Sequence, residues 1–536
     1  MESPGTERWN EWLLRSLSAV LALFSFASAA MAQRAPKMQW QHCYGGSDLE
    51  NSRQFVRPHD HLMIHTTDGG YAFLAQTASL DAPVTGCHRD SIGNPSFDLW
   101  LVKTDGLGNL LWQRTFGGSN EEAPCCLIQT SDGGYALCGT TRSHDGDVTD
   151  SHTAGSNDAL MYVNDAWIVK TDALGQKEWA HAYGWSHGDD YFNSIIEVAD
   201  GYLAVGFSTS VEDAPEGHVL DSKLNQGDAL VVKINAKGDQ QWKWLYGGTF
   251  RDEANTVLPF PGGGYIIGGA FGLQGPGALG WIMQLDTGGN MVWNRKYNAA
   301  PFTSMIHPDT NFLAAAGTSV FRIDTTGKLL QYGSFWAPGA SAIYSLSQSA
   351  TGNFYFAGST NSIDVPGIHI TVDEDTVMRN LDSTDAWAGS FTPDLKLIWQ
   401  RAMGGDFRDC FYTALAMDEQ ETGESGVLLY GSAESGNMLD GGNGDHAGLV
   451  HGYADAWVVK LSNSASVATE RAMAAYNIYP NPAPKEVCLG LYEGVAVTTV
   501  RFYDQLGTEV FPLYRRETEY VEIDCCNLVG RESAHF

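Results

Sequence analysis

The sequence is poor in charged residues, and basic ones are especially scarce. Only 18% of its 536 residues are charged, and 32 Lys and Arg stand against 63 Asp and Glu, for a net charge of −31. Binding to nucleic acid or to an anionic membrane surface depends on basic side chains. We therefore expect no nucleic-acid partner. Neutral or cationic partners such as glycans, proteins or metal ions are favoured.

Several other features are missing. Beyond the first 32 residues no apolar run reaches the 18 or more residues of a membrane span, so no transmembrane span is expected. Neither a G-x-S-x-G elbow, a P-loop, an H-E-x-x-H motif nor a dinucleotide-binding motif occurs in its required context. The nine cysteines fit no zinc spacing, although Cys126 and Cys138 could face each other across two strands.

The first 32 residues have the pattern of an export signal. Leu17 to Phe26 form a short apolar run, and Ala30-Met31-Ala32 has the small-residue pattern of a cleavage site. This predicts a mature chain that begins near Gln33 and is secreted or held at the outer cell surface. An ordinary N-terminal helix or an uncleaved anchor is the alternative.

Most of the chain consists of one repeated unit. A tryptophan marks the same place in six units, and a glutamine takes that place once. The marks are Trp40, Trp112, Trp179, Trp242, Trp293, Gln331 and Trp399. A strand such as Asp165–Lys170 and an Asp-x-x-Gly turn such as Asp172–Gly175 precede the mark, and a turn such as Asp132–Tyr135 follows it. Each unit thus offers four short strands and two tight turns, without helical periodicity.

Four-stranded units repeated in this way predict an all-β fold, a seven-bladed β-propeller spanning residues 33–470. The last unit lacks its fourth strand, and the strand at Trp40 is an extra one. Pairing the two would close the ring and remove its free edges. The fifth unit, near residues 293–330, is abbreviated and is the least regular of the seven.

The sequence pattern of the repeat resembles that of secreted β-propeller-repeat proteins of Bacteroidetes-type bacteria. The likeness lies in the pattern DAW-x-VK-x-D-x-x-G-x-x-x-W followed by GG and DGGY, over roughly residues 38–465. That family has no single known activity. The resemblance therefore implies a fold and a location outside the cell but no catalysed reaction.

A different segment begins near residue 471. Tyr479-Pro-Asn-Pro482 and the later residues Asp524, Leu528 and Gly530 resemble the C-terminal sorting domain of the type IX secretion system, a small β-sandwich. The resemblance implies that residues 471–536 engage the type IX secretion machinery. The last six residues depart from that family's usual end, and a generic terminal β-domain is the alternative.

Five of the seven repeats carry a carboxylate ten residues after the mark. They are Glu50, Glu122, Asp189, Asp252 and Asp409, and the other two repeats have Thr303 and Ser341. We expect these side chains at the start of the innermost strands, around one mouth of the central channel. They could form a site for a cation or a cationic ligand. Alternatively, each could cap backbone N–H groups of a neighbouring blade.

Long, acidic loops should gather on one face of the ring, here called the loop face, with the tight turns on the opposite turn face. The loops are 79–97, 142–164, 208–227, 361–384 and 432–454. In one of them Asp145, Asp147 and Asp150 alternate around a glycine, as calcium ligands can, although a solvated acidic loop is the alternative. His59, His61 and His65 would share one face of an unbroken strand, as zinc ligands could.

The sequence therefore predicts a secreted or cell-surface propeller that acts as a non-catalytic binding or adhesion module. Calcium is the cofactor to consider, and a glycan or a protein the expected ligand. The alternative is a hydrolase or lyase that acts on polysaccharide with carboxylates of the loop face. A purely structural role is a third possibility.

Overall fold

The computed structural model describes most of the repeat region and short strands of the C-terminal segment. The described residues of the repeat region are 36–50, 61–152, 163–185, 188–209, 227–273, 275, 277–308, 310–335, 340–361, 384–405, 407–417, 426–434, 450–451 and 453–462. The predicted export signal at residues 1–32 lies outside them. The chain divides into two compact units, Met1–Asn463 and Ser464–Phe536.

The first unit contains seven four-stranded antiparallel sheets, which are the blades of a β-propeller. No helix occurs among the described residues. In chain order, blades 1 to 4 consist of β2 (Met63–His65), β3 (Tyr71–Thr77), β4 (Asp98–Thr104) and β5 (Leu110–Phe116); β6 (Glu122–Gln129), β7 (Tyr135–Thr141), β8 (Asp165–Thr171) and β9 (Lys177–Tyr183); β10 (Asp190–Val198), β11 (Gly201–Ser208), β12 (Asp228–Asn235) and β13 (Gln240–Tyr246); and β14 (Arg251–Pro259), β15 (Tyr265–Leu273), β16 (Leu279–Leu285) and β17 (Met291–Tyr297).

Blades 5 to 7 complete the ring. They consist of β18 (Phe302–Ile306), β19 (Asn311–Ala316), β20 (Ser319–Asp324) and β21 (Leu329–Ser334); β22 (Ser341–Gln348), β23 (Phe354–Thr360), β24 (Asp385–Phe391) and β25 (Leu397–Met403); and β26 (Asp409–Met417), β27 (Gly426–Glu434) and β28 (Ala454–Ser462) with β1 (Lys37–Tyr44). The abbreviated fifth repeat is thus a full blade. Only Gly317 and Thr318 connect its second and third strands, where most other blades have a long loop.

The ring closes as the sequence predicts. The first strand, β1, pairs antiparallel with β28, so the N-terminal strand is the outermost strand of the last blade, and Trp40 lies opposite Lys460. The innermost strands contact one another in order around the axis, and β26 of the last blade contacts β2 of the first. The seven-bladed ring with four-stranded blades is confirmed.

The recurring residues of the repeat hold adjacent blades together. In blades 2 to 5 the glycine that ends the turn between the third and fourth strands has a left-handed φ and lies against the marked tryptophan of the preceding blade: a methyl group on Gly175 (φ +74°) would lie 2.5 Å from Trp112. The outermost strand of four blades ends in a tyrosine whose hydroxyl donates to such a turn, as Tyr183 does to Gly238 O at 2.7 Å. The recurring residues of the repeat therefore form contacts between adjacent blades.

A second belt of hydrogen bonds joins the innermost strands. These strands carry a β-bulge, and polar side chains at or beside the bulge reach the next blade. Asn193 Nδ2 donates to Ala254 O at 2.9 Å, and Ser345 Oγ accepts from Ala414 N at 3.0 Å. These bonds link the innermost strands of adjacent blades to one another.

The second unit has a four-stranded sheet and a separate strand pair. The sheet has the order β29–β30–β34–β33 and the pair is β31–β32. Their bounds are Ile478–Tyr479 (β29), Glu486–Gly490 (β30), Phe502–Tyr503 (β31), Glu509–Val510 (β32), Leu513–Arg516 (β33) and Tyr520–Asp524 (β34). Most residues of the predicted sorting domain lie outside the described part.

Candidate functional site: carboxyl pairs between the blades

Three of the five predicted carboxylates, Glu122, Asp252 and Asp409, lie at the start of innermost strands, whereas Glu50 precedes β2 and forms an isolated bridge with Thr77. These four side chains have no exposed surface, and each accepts a backbone N–H from the residue four positions earlier, which is always a glycine. The bonds are Gly46 N to Glu50 (3.0 Å), Gly118 N to Glu122 (3.0 Å), Gly248 N to Asp252 (2.6 Å) and Gly405 N to Asp409 (2.8 Å). The capping alternative therefore describes their contacts, and they do not line an open channel mouth.

The third blade departs from the predicted alignment by one residue. Asp190, and not Asp189, takes the equivalent position, and its Oδ2 accepts from Trp185 N at 2.9 Å. The connection from the outermost strand is one residue longer there, which a count of ten residues from the mark misses. Asp189 accepts from Asn164 N at 3.2 Å instead.

A second carboxylate, which the sequence analysis did not single out as a site residue, faces each of these groups. It is the aspartate that opens or nearly opens the third strand of the preceding blade. The pairs are Asp455 with Glu50, Asp98 with Glu122, Asp165 with Asp190, Asp228 with Asp252, and Asp385 with Asp409. The signal was present in the sequence as the aspartate of the recurring DAW pattern, which we interpreted only as the start of a strand.

A glycine separates the two carboxyl groups of each pair. A methyl group built on Gly45 would lie 2.4 Å from Asp455 Oδ1 and 2.5 Å from Glu50 Oε2. On Gly117 it would lie at 2.4 Å from Asp98 Oδ1 and 2.3 Å from Glu122 Oε2. The facing oxygens are therefore within about 5 Å of each other, close enough for two negative charges to repel.

Histidines of the loop face bind the outer carboxylate in three of the pairs. His88 Nδ1 lies 2.8 Å from Asp98 Oδ2, and His451 Nδ1 lies 2.8 Å from Asp455 Oδ2. His152 donates its backbone N–H to Asp165 Oδ2 at 2.7 Å. The hydrogen bonds to aspartate raise the pKa of His88 and of His451.

Burial raises the pKa of the inner carboxyl groups of Glu50, Glu122 and Asp190, and the facing aspartate raises it further. The pKa of Glu50 and of Glu122 rises to about 8. That of Asp190 rises to about 7 for the same two reasons. At neutral pH Glu50 and Glu122 therefore hold a proton beside an aspartate.

Several carboxylate oxygens in these pairs lack a hydrogen-bond partner although they are buried. They are Asp165 Oδ1, Asp190 Oδ1, Asp228 Oδ2 and Asp455 Oδ1. Such oxygens need a proton, a water molecule or a cation nearby. Chemically, the pairs can hold protons or a cation, but they cannot reach a polymeric substrate.

The acidic loop predicted to bind calcium distributes its carboxylates among different partners. Asp145 Oδ1 accepts from Ser119 N at 2.7 Å, Asp147 forms an ion pair with Lys177, and Asp150 Oδ2 lies 2.7 Å from His181 Nδ1. The structure does not bring the three together around one point.

The strand that the zinc interpretation requires is interrupted. His59 lies outside the described residues, His61 has a left-handed φ of +69°, and the strand begins only at Met63. His65 Nε2 lies 3.2 Å from Ala416 O. The unbroken strand on which the zinc interpretation depended is therefore absent from residues 61–65.

Within the described residues, no group of three or more His, Cys, Asp or Glu side chains has the geometry of a metal site. In the same residues, no helix is long and apolar enough to cross a membrane. Cys126 and Cys138 lie opposite each other in the register of β6 and β7, as predicted, and both are thiols.

Comparisons with known proteins do not assign the chain to a family. No family model matches the chain. A segment of 204 residues is 29% identical to the regulatory protein FlaEY of Caulobacter vibrioides; it covers 38% of this chain and 21% of that protein. The match thus spans about a fifth of the length of that curated relative, and it does not establish a family.

Solved structures give a distant likeness. A protein of unknown function from Bacteroides caccae is 10% identical, with a TM-score of 0.32, covering 56% of this chain and 89% of that one. BBS1N in complex with ARL6DN, soaked with mercury, is 9% identical, with a TM-score of 0.40, covering 81% of this chain and 99% of that one. The fold assignment rests on the strand pairing described above.

Proposed function

We propose that the protein is a non-catalytic binding or adhesion module whose ligand docks on the loop face. The observation that carries this proposal is the placement of the recurring residues. Four of the six marked tryptophans, the turn glycines and the inner carboxyl groups are engaged in contacts between blades, so they form a scaffold. Ligand contacts then fall to the variable loops that this rigid ring presents.

The net charge of −31 favours a cationic or neutral ligand. The test is binding of the mature chain to a basic peptide, to chitosan oligomers, to neutral glucan oligomers and to heparin, at low and at physiological salt. We expect the cationic probes to bind, more weakly as salt rises, and heparin not to bind. Binding of heparin alone would refute the proposed ligand class.

A matched pair of variants locates the binding face. The variant D81N/D145N removes two charges from the loop face, whereas D172N/D286N removes two from the turn face. Asparagine keeps a side-chain oxygen that can accept the same hydrogen bonds, and Asn235 occupies the equivalent turn position in blade 3. We expect the first variant to weaken binding of a cationic probe several-fold and the second to leave it unchanged. The reverse order would place the ligand on the turn face.

Hydrolysis or elimination of a polysaccharide is the second candidate, because a carboxyl group with a pKa of about 8 is suited to act as a general acid. Glu50 and Glu122 are fully buried, however, so a sugar would have to open the contact between blades to reach them. Incubation with neutral and uronic-acid polysaccharides, followed by reducing-end and unsaturated-product assays, separates the two functions. Product formation that is lost in Glu122→Gln would favour the enzyme.

We also propose export through the signal at residues 1–32 and sorting by residues 471–536, which would place the propeller outside the cell. The resemblance of the Tyr479–Pro482 segment to type IX sorting domains supports the second step. The test is fractionation of a type IX-competent host that expresses the full chain or a chain ending at residue 470. Cell-surface or medium localisation that requires residues 471–536 is the expected result. Equal export of both forms would refute the sorting role.

Calcium, finally, is proposed as a stabilising ligand. The support is the set of buried carboxylate oxygens without partners, such as Asp455 Oδ1 and Asp165 Oδ1. Thermal unfolding in excess calcium and in chelator tests this, because a ligand at 100 times its dissociation constant stabilises the folded state by about 2.7 kcal/mol. An unchanged midpoint would leave only protons and water to occupy these pairs.

A further inference from the structure

The outermost strand of the fifth blade, β21 (Leu329–Ser334), differs from the outermost strands of the other six blades. Each of those six strands contains a buried residue and at least one Lys or Arg. β21 has the sequence LLQYGS, in which no residue is charged and none is buried. Among the described residues its only strand partner is β20, so its outer side is an open edge of the sheet.

One face of β21 is covered by the next blade. Gln331, which replaces the marked tryptophan, donates from Nε2 to Asp394 O at 2.8 Å, and a methyl group on Gly333 would lie 2.9 Å from Leu395. Tyr332 lies between Gln331 and Gly333 in the sequence, and neighbouring residues of a strand point to opposite faces. Its side chain is 66% exposed, so the uncovered face of the strand carries an aromatic ring in contact with solvent.

This edge lacks the protection that edge strands usually have. Charged side chains, lysines above all, keep most edge strands from pairing with another chain. The six other outermost strands have such side chains, whereas β21 presents Tyr332 and Leu330, which is 48% exposed, beside its open edge. An added strand would pair with the main-chain N–H and C=O groups of that edge, and its side chains would cover the apolar ones. The edge is therefore suited to pairing with another strand.

The absence of charge on β21 indicates which partner fits. A cationic partner would be drawn to acidic surfaces elsewhere on a chain of net charge −31, because β21 offers it no carboxylate. Two copies of the chain repel each other, so they can approach closely only where both surfaces are uncharged. Among the described outermost strands, β21 alone meets this condition. A strand that pairs antiparallel with its own copy is also self-complementary, as a two-fold contact requires.

We propose that two copies of this chain associate through β21, paired antiparallel about a two-fold axis, so that two four-stranded blades form one eight-stranded sheet. Tyr332 lies near the middle of the strand and therefore near the axis. The strand is only about 20 Å long, and a contact of that size is small for a stable interface, so we expect a reversible dimer with a Kd in the micromolar range. The contact shares no residue with the carboxyl pairs or the long loops, so its failure would leave the loop-face proposal intact.

Sedimentation equilibrium of the mature chain between about 1 and about 200 µM tests the proposal. We expect a monomer–dimer equilibrium that shifts towards the dimer as salt rises from about 50 to about 500 mM, because salt screens the repulsion between two acidic chains. Binding of a cationic ligand should respond to salt in the opposite sense, which keeps the two proposals distinguishable. A chain that stays monomeric throughout this range would overturn the proposal.

A matched pair of variants locates the contact. Tyr332→Lys places a charge beside the open edge and, in the two-fold dimer, close to the same charge of the other copy, so it should weaken association at least about tenfold. Leu111→Lys is the control, because Leu111 is 56% exposed on β5, the outermost strand of the first blade, and the change in net charge is the same. Thermal midpoints verify that both variants fold. Equal effects of the two substitutions, or no effect of Tyr332→Lys, would overturn the assignment to β21.

Hydrogen exchange followed by mass spectrometry tests whether the contact is a strand pairing. The amides of residues 329–334 should exchange more slowly at high than at low protein concentration, because pairing protects them, whereas those of residues 110–116 should not change. A dimer that forms without slower exchange in residues 329–334 would overturn the proposed pairing.

Discussion

The carboxyl pairs should make the stability of the ring depend on pH, and one substitution isolates the contribution of a single pair. Glu122 has no exposed surface, faces Asp98 across Gly117, and its pKa is raised from 4.5 to about 8 by burial and by that aspartate. The folded state therefore binds this proton more tightly than the unfolded chain does. Its contribution to the free energy of unfolding is complete below pH 4.5 and is lost as pH rises towards 8.

Glu122→Gln removes this titration while preserving the shape of the protonated acid. One titrating group changes the free energy of unfolding by about 1.4 kcal/mol per pH unit. The stability of the variant relative to the wild type should therefore rise by about 3 kcal/mol between pH 5 and pH 7. At pH 8 the variant should be the more stable protein.

The measurement is urea unfolding followed by tryptophan fluorescence at pH 5, 6, 7 and 8. A chelator keeps cations from replacing the proton. Glu121→Gln is the control, since the neighbouring side chain is partly exposed and pairs with Arg142. A stability difference between wild type and Glu122→Gln that stays constant across this range would refute the assignment of a shared proton to the pair.

Three further predictions concern the scaffold. Gly175→Ala should destabilise the fold by more than about 2 kcal/mol, since its φ is +74° and the new methyl group would overlap Trp112. Gly133→Ala should cost only about 1 kcal/mol, because Gly133 has a similar φ of +86° but open space around it. Chemical denaturation of both variants separates the backbone strain from the steric overlap. Lys170→Met should change stability by no more than about 1 kcal/mol in the same assay, because the substitution removes the buried ammonium and the two carboxylates that it leaves, Asp132 and Glu178, are about half exposed and stay solvated. Deletion of Lys37–Tyr44 should expose the edge of the last blade and give a protease-sensitive, aggregation-prone chain, and a deletion form that remains monomeric and resistant would show that the closing strand is dispensable.

The propeller fold could be predicted from the sequence because each repeat contains the pattern of strands and turns that makes one blade. The alternation of short strands with Asp-x-x-Gly turns predicts four strands per blade, and the extra strand at Trp40 predicts how the ring closes. Even the fifth blade follows, since its brevity reflects only the two-residue connection between β19 and β20. Tight turns depend on residues that are close together in the sequence, so they can be predicted from it.

Only the inner carboxylates of the candidate site could be predicted from the sequence. The inner carboxylates were visible because they recur at a fixed distance from the tryptophan, but one extra residue after Gly184 moved the position from Asp189 to Asp190. Their partners begin strands of the preceding blade, and such contacts depend on how the ring packs and not on spacing along the chain.

The two faces of the ring hold their carboxyl groups in opposite ways. On the turn face Asp132 accepts hydrogen bonds from Thr130, Gly134 and Lys170, which lower its pKa to about 2, so this face loses stability only in strong acid. On the loop face Glu50 and Glu122 have a raised pKa, so that face loses stability as pH rises towards 8. Over the ordinary pH range Asp132 on the turn face therefore keeps its charge, whereas Glu50 and Glu122 on the loop face, where the ligand is proposed to bind, respond to protons and to any cation that can replace them.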